Sequence, residues 1–366
     1  MQLSFQKIHG AGNDFVVFDN RQGSVLLSEE QVRWICDRHC GVGADGVIEV
    51  RTSPRPECVA FMHYRNADGS LAEMCGNGVR CFVRYLADNG LLSPEEMAAR
   101  SCIVDTLAGP RPLRFELDED DRLSTATVEM GEPVFAPELI PTTLPATREI
   151  VVAQGEQEQT VAQAVVKIDA GNNETANNGR KMYPLTCVNM GNPHAVLFLD
   201  DIDDSMAQDF VLDPQSFDLE SVGASLEGDT HLFPQKTNVE VAAVYGSATK
   251  SSVVNGPNRI RMRVYERGVG ETLACGTGAC AVAVAAIALG KVDGEAPVQL
   301  ELPGGTLTVE WLPTNQVTLT GPVDTVFCGT LSLDALNSPA SLDSSVPPDP
   351  PESPVFSAPP EPLQPL

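Results

Sequence analysis

Eleven consecutive residues, Ala279-Cys-Ala-Val-Ala-Val-Ala-Ala-Ile-Ala-Leu289, carry neither a charge nor a hydroxyl, and Gly290 follows them. A segment apolar on every face predicts a helix buried all round, with the glycine as its C-terminal stop. Just before it stands Cys275-Gly-Thr-Gly278, so a cysteine heads the helix. Free backbone N–H groups and the positive end of the helix dipole favour a thiolate or a bound carboxylate at such a place. The same arrangement occurs two hundred residues earlier, where Met74-Cys75-Gly-Asn-Gly78 runs into the apolar stretch Val79–Ala87 and then Gly90. Upstream, Asn66 and Glu266 each lie nine residues before their cysteine, and Gly12-Asn13-Asp14-Phe15 is echoed by Gly191-Asn192-Pro193-His194. Two repeats are too few for a solenoid; they predict two pseudo-symmetric domains facing each other across a cleft.

A chain of 366 residues with 42% hydrophobic content suits two domains with real cores. The net charge of −26 argues against nucleic acid and against anionic membrane surfaces. No run of 18 apolar residues is present, so no membrane-spanning helix is expected. The opening Met1–His9 reads as a strand rather than a signal or transit peptide. The ten cysteines therefore read mostly as small buried hydrophobes in a reducing compartment, not as a disulfide framework.

Along the chain, Ser28-Glu-Glu-Gln31 is a capping box for a helix to about Cys36, and Ser93-Pro-Glu-Glu96 starts another. Strands are expected at 1–9, Phe15–Phe18, Val47–Val50 and Val59–Tyr64, with two or three in Arg111–Val134. Further strands are expected at Asn238–Val244, Ile260–Tyr265, Val298–Leu302, Leu307–Trp311 and Gln316–Thr320. The polar insert Asp169–Gly179 reads as a surface loop, and residues 200–230 as acidic and irregular. Ten prolines fall between Pro339 and Leu366, which predicts a disordered or extended tail over 338–366. The fold class expected is α/β (α+β): strand-rich halves, each curled as a barrel around one buried helix.

Two thiols at facing helix starts can flank one small molecule. A thiolate on one side removes a proton from carbon and a thiol on the other returns one, which inverts a carbon acid. The helix N–H groups would hold the substrate carboxylate and stabilise the charge that develops. Asn13, Asn66, Asn192 and Asn238 lie at strand ends or turns, where a lone Asn is usually a turn former but four together suggest a polar clamp. Arg267 beside Glu266 offers two-point recognition of a carboxylate and an ammonium, against the plainer reading of a surface ion pair. His194, after Asn192-Pro193, could tune a thiol, against the plainer structural reading of a lone histidine. A zinc site is disfavoured because no C-x-x-C occurs and Cys81 and Cys280 fall inside apolar helices, so no metal ligands are assigned. Thiol–disulfide exchange remains a rival reading.

These residues resemble a known family. His9-Gly-Ala-Gly-Asn-Asp-Phe15, Arg65-Asn-Ala-Asp-Gly-Ser70 with Cys75-Gly-Asn-Gly-Val-Arg-Cys81, Met190-Gly-Asn-Pro-His194 and Tyr265–Gly278 are similar, in that order, to diaminopimelate epimerase over residues 1–335. The resemblance implies an isomerase that interconverts LL- and meso-diaminopimelate without a cofactor, in lysine and peptidoglycan-precursor synthesis, as a cytoplasmic homodimer. It implies that Cys75 and Cys275 are the acid/base pair, modulated by His194 and Glu266. It implies that Asn13, Asn66, Asn192, Asn238, Glu266 and Arg267 contact the non-reacting end of the substrate. Gly76-Asn77 and Gly276-Thr277 would hold the reacting carboxylate. Some members carry Gln where this chain has Gly46. The implied domains are 1–127 plus 321–334 and 128–320. A proline or hydroxyproline racemase is the related alternative, disfavoured because its substrates have no charged distal end for Glu266 and Arg267.

Overall fold

The structure, a computed structural model, describes residues 2–145, 161, 163–169, 180–202, 213–246 and 258–333. The first half runs β1 (Gln2–Gly10), β2 (Asn13–Asp19), α1 (Glu29–Cys36), β3 (Gly46–Arg51), β4 (Phe61–Asn66), β5 (Leu71–Ala72), α2 (Gly76–Asp88), α3 (Pro94–Ala99), β6 (Ser101–Val104), β7 (Arg111–Leu117) and β8 (Leu123–Gly131). The second runs β9 (Gln163–Asp169), β10 (Arg180–Asn189), β11 (Pro193–Phe198), α4 (Leu219–Gly228), β12 (Asn238–Gly246), β13 (Asn258–Glu266), β14 (Gly270–Thr272), α5 (Gly276–Ala288), β15 (Val298–Leu302), β16 (Gly305–Trp311) and β17 (Val317–Pro322). A last strand, β18 (Asp324–Ser332), returns to pair antiparallel with β1.

The two helices that head on cysteine are the centres of the two halves. From Ala279 to Ala286 every side chain of α5 is fully buried, as the uncharged run requires. Helix α2 buries Val79, Cys81, Phe82, Val83 and Leu86 completely. Each such aliphatic or aromatic side chain contributes about 1.5–3 kcal/mol when taken from water. Gly90 and Gly290 follow the helix ends with φ of 63° and 71°, a left-handed turn that glycine makes without Cβ strain. Both capping boxes form, at Ser28–Gln31 and at Ser93–Glu96.

Strands wrap each helix, but neither half closes into a barrel. One sheet has the order β18-β1-β2-β3-β4-β5; the other follows β6-β7-β8-β17-β16-β15-β13-β12-β11-β10-β9, with β14 on β13. The expected closure fails for a simple reason: a strand has two edges. Strand β8 spends one on β7 and the other on β17, so its pairing fuses the halves instead of sealing either one. Isolated bridges link Phe61 to Asp105, between β4 and the end of β6, and Val134 to Asn189, beyond β8.

The described part of 200–230, residues 200–202 and 213–230, is more regular than expected. Asp218 caps α4 by accepting from the Ser221 N–H, and Leu219, Val222 and Leu226 bury one face of that helix. Asp169 ends β9, while the rest of the insert, 170–179, and the tail 338–366 lie outside the described residues.

Candidate functional site

The pseudo-symmetry predicted from the repeat is carried by β4–β5–α2 in one half and β13–β14–α5 in the other. Each unit is a hairpin that delivers a cysteine to a helix start. Cys75 is the N-cap of α2 (φ −141°, ψ 119°), and Cys275 is the N-cap of α5 (φ −123°, ψ 116°). Both sulfurs accept the backbone N–H three residues on, Gly78 for one and Gly278 for the other, each at 3.4 Å. Where a capping Ser or Asp would use oxygen, these turns use sulfur. Both Gly76 and Gly276 pack on Leu319 of β17, which stands between the turns. A Cβ at Gly276 would meet the Leu319 Cδ2 at 2.9 Å, and one at Gly76 would meet Met130 Cε at 3.1 Å, so a larger residue at either turn would displace those side chains.

Asn77 ties the two turns together. Its Nδ2 donates to Ala274 O in the other half (3.3 Å) and to Asn13 Oδ1 (3.2 Å). Asn13 Oδ1 also lies 3.8 Å from the Cys75 sulfur, while Asn13 Nδ2 donates to Asp45 Oδ2 at 2.7 Å. Asp45 thereby fixes which end of the Asn13 amide faces the thiol. Arg38 in turn binds Asp45 (2.7 Å) and Asp14 (2.9 Å), and Lys7 binds Asp14 (2.8 Å). Burial alone would raise the Asp14 carboxyl, but Arg38 and Lys7 hold it down to about 2. For Asp45, burial and the neighbouring Asp14 push the carboxyl up.

Asn66 sits at the end of β4, held on both sides. Its Oδ1 accepts from the Tyr64 hydroxyl (2.7 Å) and its Nδ2 donates to Ser70 Oγ (3.0 Å). Tyr64 is buried against Phe15, edge to face at 5.6 Å. Its ring covers Gly46: a Cβ there would stand 2.5 Å from the Tyr64 Cε2. With Arg65 O also 2.6 Å from that point, no side chain fits at position 46 in this structure.

In the second half His194 is fully buried, with Nδ1 2.6 Å from Glu240 Oε1 and Nε2 3.0 Å from Asn192 Oδ1. The register of β11 on β12 sets His194 opposite Asn238. Asn238 accepts from the Arg267 N–H (2.8 Å) and donates to Pro193 O (3.0 Å). Glu266 and Arg267 do not pair with each other. The carboxylate accepts from Thr272 Oγ1, and the guanidinium of Arg267, exposed, donates to Gln235 O (3.0 Å). Thr277 Oγ1 lies 3.4 Å from the Cys275 sulfur.

Burial pushes the Cys75 thiol up to about 11; the Gly78 N–H opposes this and the Glu266 charge adds to it. Burial, then Glu266 and Glu240, raise Cys275 well above 9.0, against the pull of Thr277 and the Gly278 N–H. Glu266 is itself pushed up by burial. Burial thus favours the thiol form of both sulfurs, and the N–H groups at the two helix starts act in the opposite sense.

Sequence reasoning passed over Asp45, Tyr64 and Glu240. The last had a signal, a lone carboxylate in the buried strand Val239-Glu240-Val241, and it stands 2.8 Å from where a Cβ on Gly278 would sit.

A family model described as Diaminopimelate epimerase matches residues 5–136 and 186–326. A diaminopimelate epimerase from Thermosynechococcus vestitus is 40% identical over 337 residues, 90% of this chain and 100% of the relative. One from Synechocystis sp. (strain PCC 6803) is 41% identical over 331 residues, 90% and 99% of the two chains. Among solved structures, a probable proline racemase from Agrobacterium radiobacter K84 superposes with a TM-score of 0.60 at 15% identity, covering 92% and 94%. A hydroxyproline epimerase from Agrobacterium vitis does so with 0.57 at 14% identity, covering 91% and 93%. These two likenesses show a shared fold.

Proposed function

The chain belongs to the diaminopimelate epimerase family, and from that membership we propose that it interconverts LL- and meso-diaminopimelate by a two-base reaction of Cys75 and Cys275. One observation carries the mechanism: two sulfurs cap two buried helices with the same 3.4 Å bond, and Asn77 holds the two caps against each other. One thiolate takes the α-proton, the electron pair passes into the substrate carboxylate, and the opposite thiol delivers its proton to the other face. The protonation states of the sulfurs are exchanged, and the reverse reaction starts from that state.

Each of the other site residues has a part in this reading. The helix starts at Gly76-Asn77 and Gly276-Thr277 hold the reacting carboxylate, where the dipoles favour the growing negative charge. Asn13, Asn66, Asn192, Asn238, Glu266 and Arg267 receive the distal amino-acid end. His194, through Glu240, and Glu266 set the charge around Cys275. Residues 1–127 with 321–334 form the domain that brings Cys75, and 128–320 the one that brings Cys275.

The reaction serves lysine and peptidoglycan-precursor synthesis in the cytoplasm, a reducing compartment that keeps both thiols free. No helix among the described residues is long and apolar enough to cross a membrane. We assign a homodimer through β18, a sheet edge on which Val326 (58% exposed) and Phe327 (46%) face solvent. Light scattering should give twice the chain mass, and Phe327→Glu should give the monomer. Turnover of Cys75→Ser and Cys275→Ser tests the chemistry: each is expected to lose at least about 10³-fold, and either one retaining the wild-type rate contradicts it.

A further inference from the structure

Arg80 is the largest fully buried side chain among the described residues, and it has no carboxylate partner among them. Its Nη2 donates to Asn77 Oδ1 (2.7 Å) and its Nη1 to Gly76 O (3.4 Å), while Nε has no partner. One turn further along the same helix Arg84 shows the ordinary solution, an ion pair with Asp88 at 2.8 Å. Carboxylates are not scarce, with 50 Asp and Glu against 24 Lys and Arg in the chain. Burying a guanidinium with so little compensation costs far more than two hydrogen bonds return. The surroundings are nonetheless shaped to admit it: Gly10 and Gly321 wall the guanidinium, and a Cβ on either would stand 3.1 Å from it.

We propose that Arg80 is a positioning residue of the reaction, a buried cation left unpaired so that the reacting thiolate and the substrate carboxylate supply its counter-charge. The proposal rests on the two-thiol reading above. Arg80 acts at one remove. It grips the carbonyl end of Asn77, which leaves Nδ2 to bridge Asn13 and Ala274, and it stands behind the turn that Cys75 caps. Its positive field favours the thiolate of Cys75 and of the buried Cys280, opposing the rise that burial imposes on both. Charge and grip are separable. Lys keeps the charge and loses the grip; Gln keeps a hydrogen bond without the charge; Met removes both and fills the space.

The experiment measures alkylation of Cys75 by iodoacetamide against pH, read peptide by peptide by mass spectrometry, with exposed Cys40 as internal reference. Arg80→Met and Arg80→Gln are expected to alkylate Cys75 about tenfold more slowly than the wild type at a given pH below 9, where the fold is intact, as a midpoint raised by about one pH unit requires. Arg80→Lys is expected to stay near the wild-type rate. Arg80→Met should melt no lower than the wild type, because a desolvated cation has been removed. If Met does not fold, the Gln and Lys pair decides. An unchanged Cys75 rate in the charge-free variants overturns the proposal, as does a slowing in Lys equal to that in Gln. Failure of the two-thiol reading is seen separately, as turnover persisting in Cys75→Ser, and leaves the alkylation result standing.

Discussion

Asn77, from the first half, donates from its side-chain amide to the carbonyl oxygen of Ala274 in the second, at 3.3 Å. The residue after Ala274 is Cys275, so this bond sets the spacing between the two cysteine turns directly.

From that bond comes a prediction for Asn77→Ala. It removes the tie to Ala274 and to Asn13 and leaves Arg80 without its nearest acceptor. Misplacement of reacting groups by an ångström costs about 100-fold in rate, so kcat is expected to fall by that order. Steady-state kinetics, with circular dichroism to show the fold intact, checks it.

Glu240 acts in the opposite sense to Arg80. Its carboxylate, fully buried and with Oε2 unpaired, helps keep Cys275 protonated. Glu240→Gln removes that negative charge, so the Cys275 alkylation midpoint is expected to move down in pH. The shift should be confined to Cys275, leaving Cys75 near its wild-type midpoint.

Alkaline pH should destabilise the protein through its buried structural thiols. Burial pushes Cys187 and Cys280 from the ordinary 9.0 up to about 12. In the unfolded chain these thiols ionise near pH 9, while in the folded one they hold their protons. Stability is thus fully present below pH 9 and is lost as pH rises toward 12, by about 1.4 kcal/mol per pH unit for each such thiol. Urea unfolding of Cys187→Ala between pH 8 and 10.5 should show lower stability at pH 8 but a shallower loss with pH than the wild type.

Much of this arrangement was legible in the sequence because it is local. A cysteine, a glycine turn and a run of apolar residues determine a helix start wherever they occur, so Cys75 and Cys275 could be read directly. The same holds for the capping boxes at Ser28 and Ser93. What could not be read depends on pairing between distant segments. The open sheets follow from β8 giving both edges away, which no periodicity reveals. The partition of Glu266 and Arg267 onto Thr272 and Gln235 depends on how β14 and the 230s loop pack. The α4 helix was hidden because its acidic surroundings read as irregular, although Asp218 with Leu219, Val222 and Leu226 is a sound cap and stripe.

The two-base reaction is tested most directly by proton NMR of LL-diaminopimelate with the reduced protein in D2O and no added cofactor. The account predicts meso product carrying deuterium at the inverted α-carbon while the substrate still remaining keeps its proton, because the proton leaves to one thiol and the deuteron arrives from the other. Deuterium entering recovered substrate as fast as product forms would instead mean a single base, and no exchange at all with both thiols free would reject diaminopimelate as the substrate.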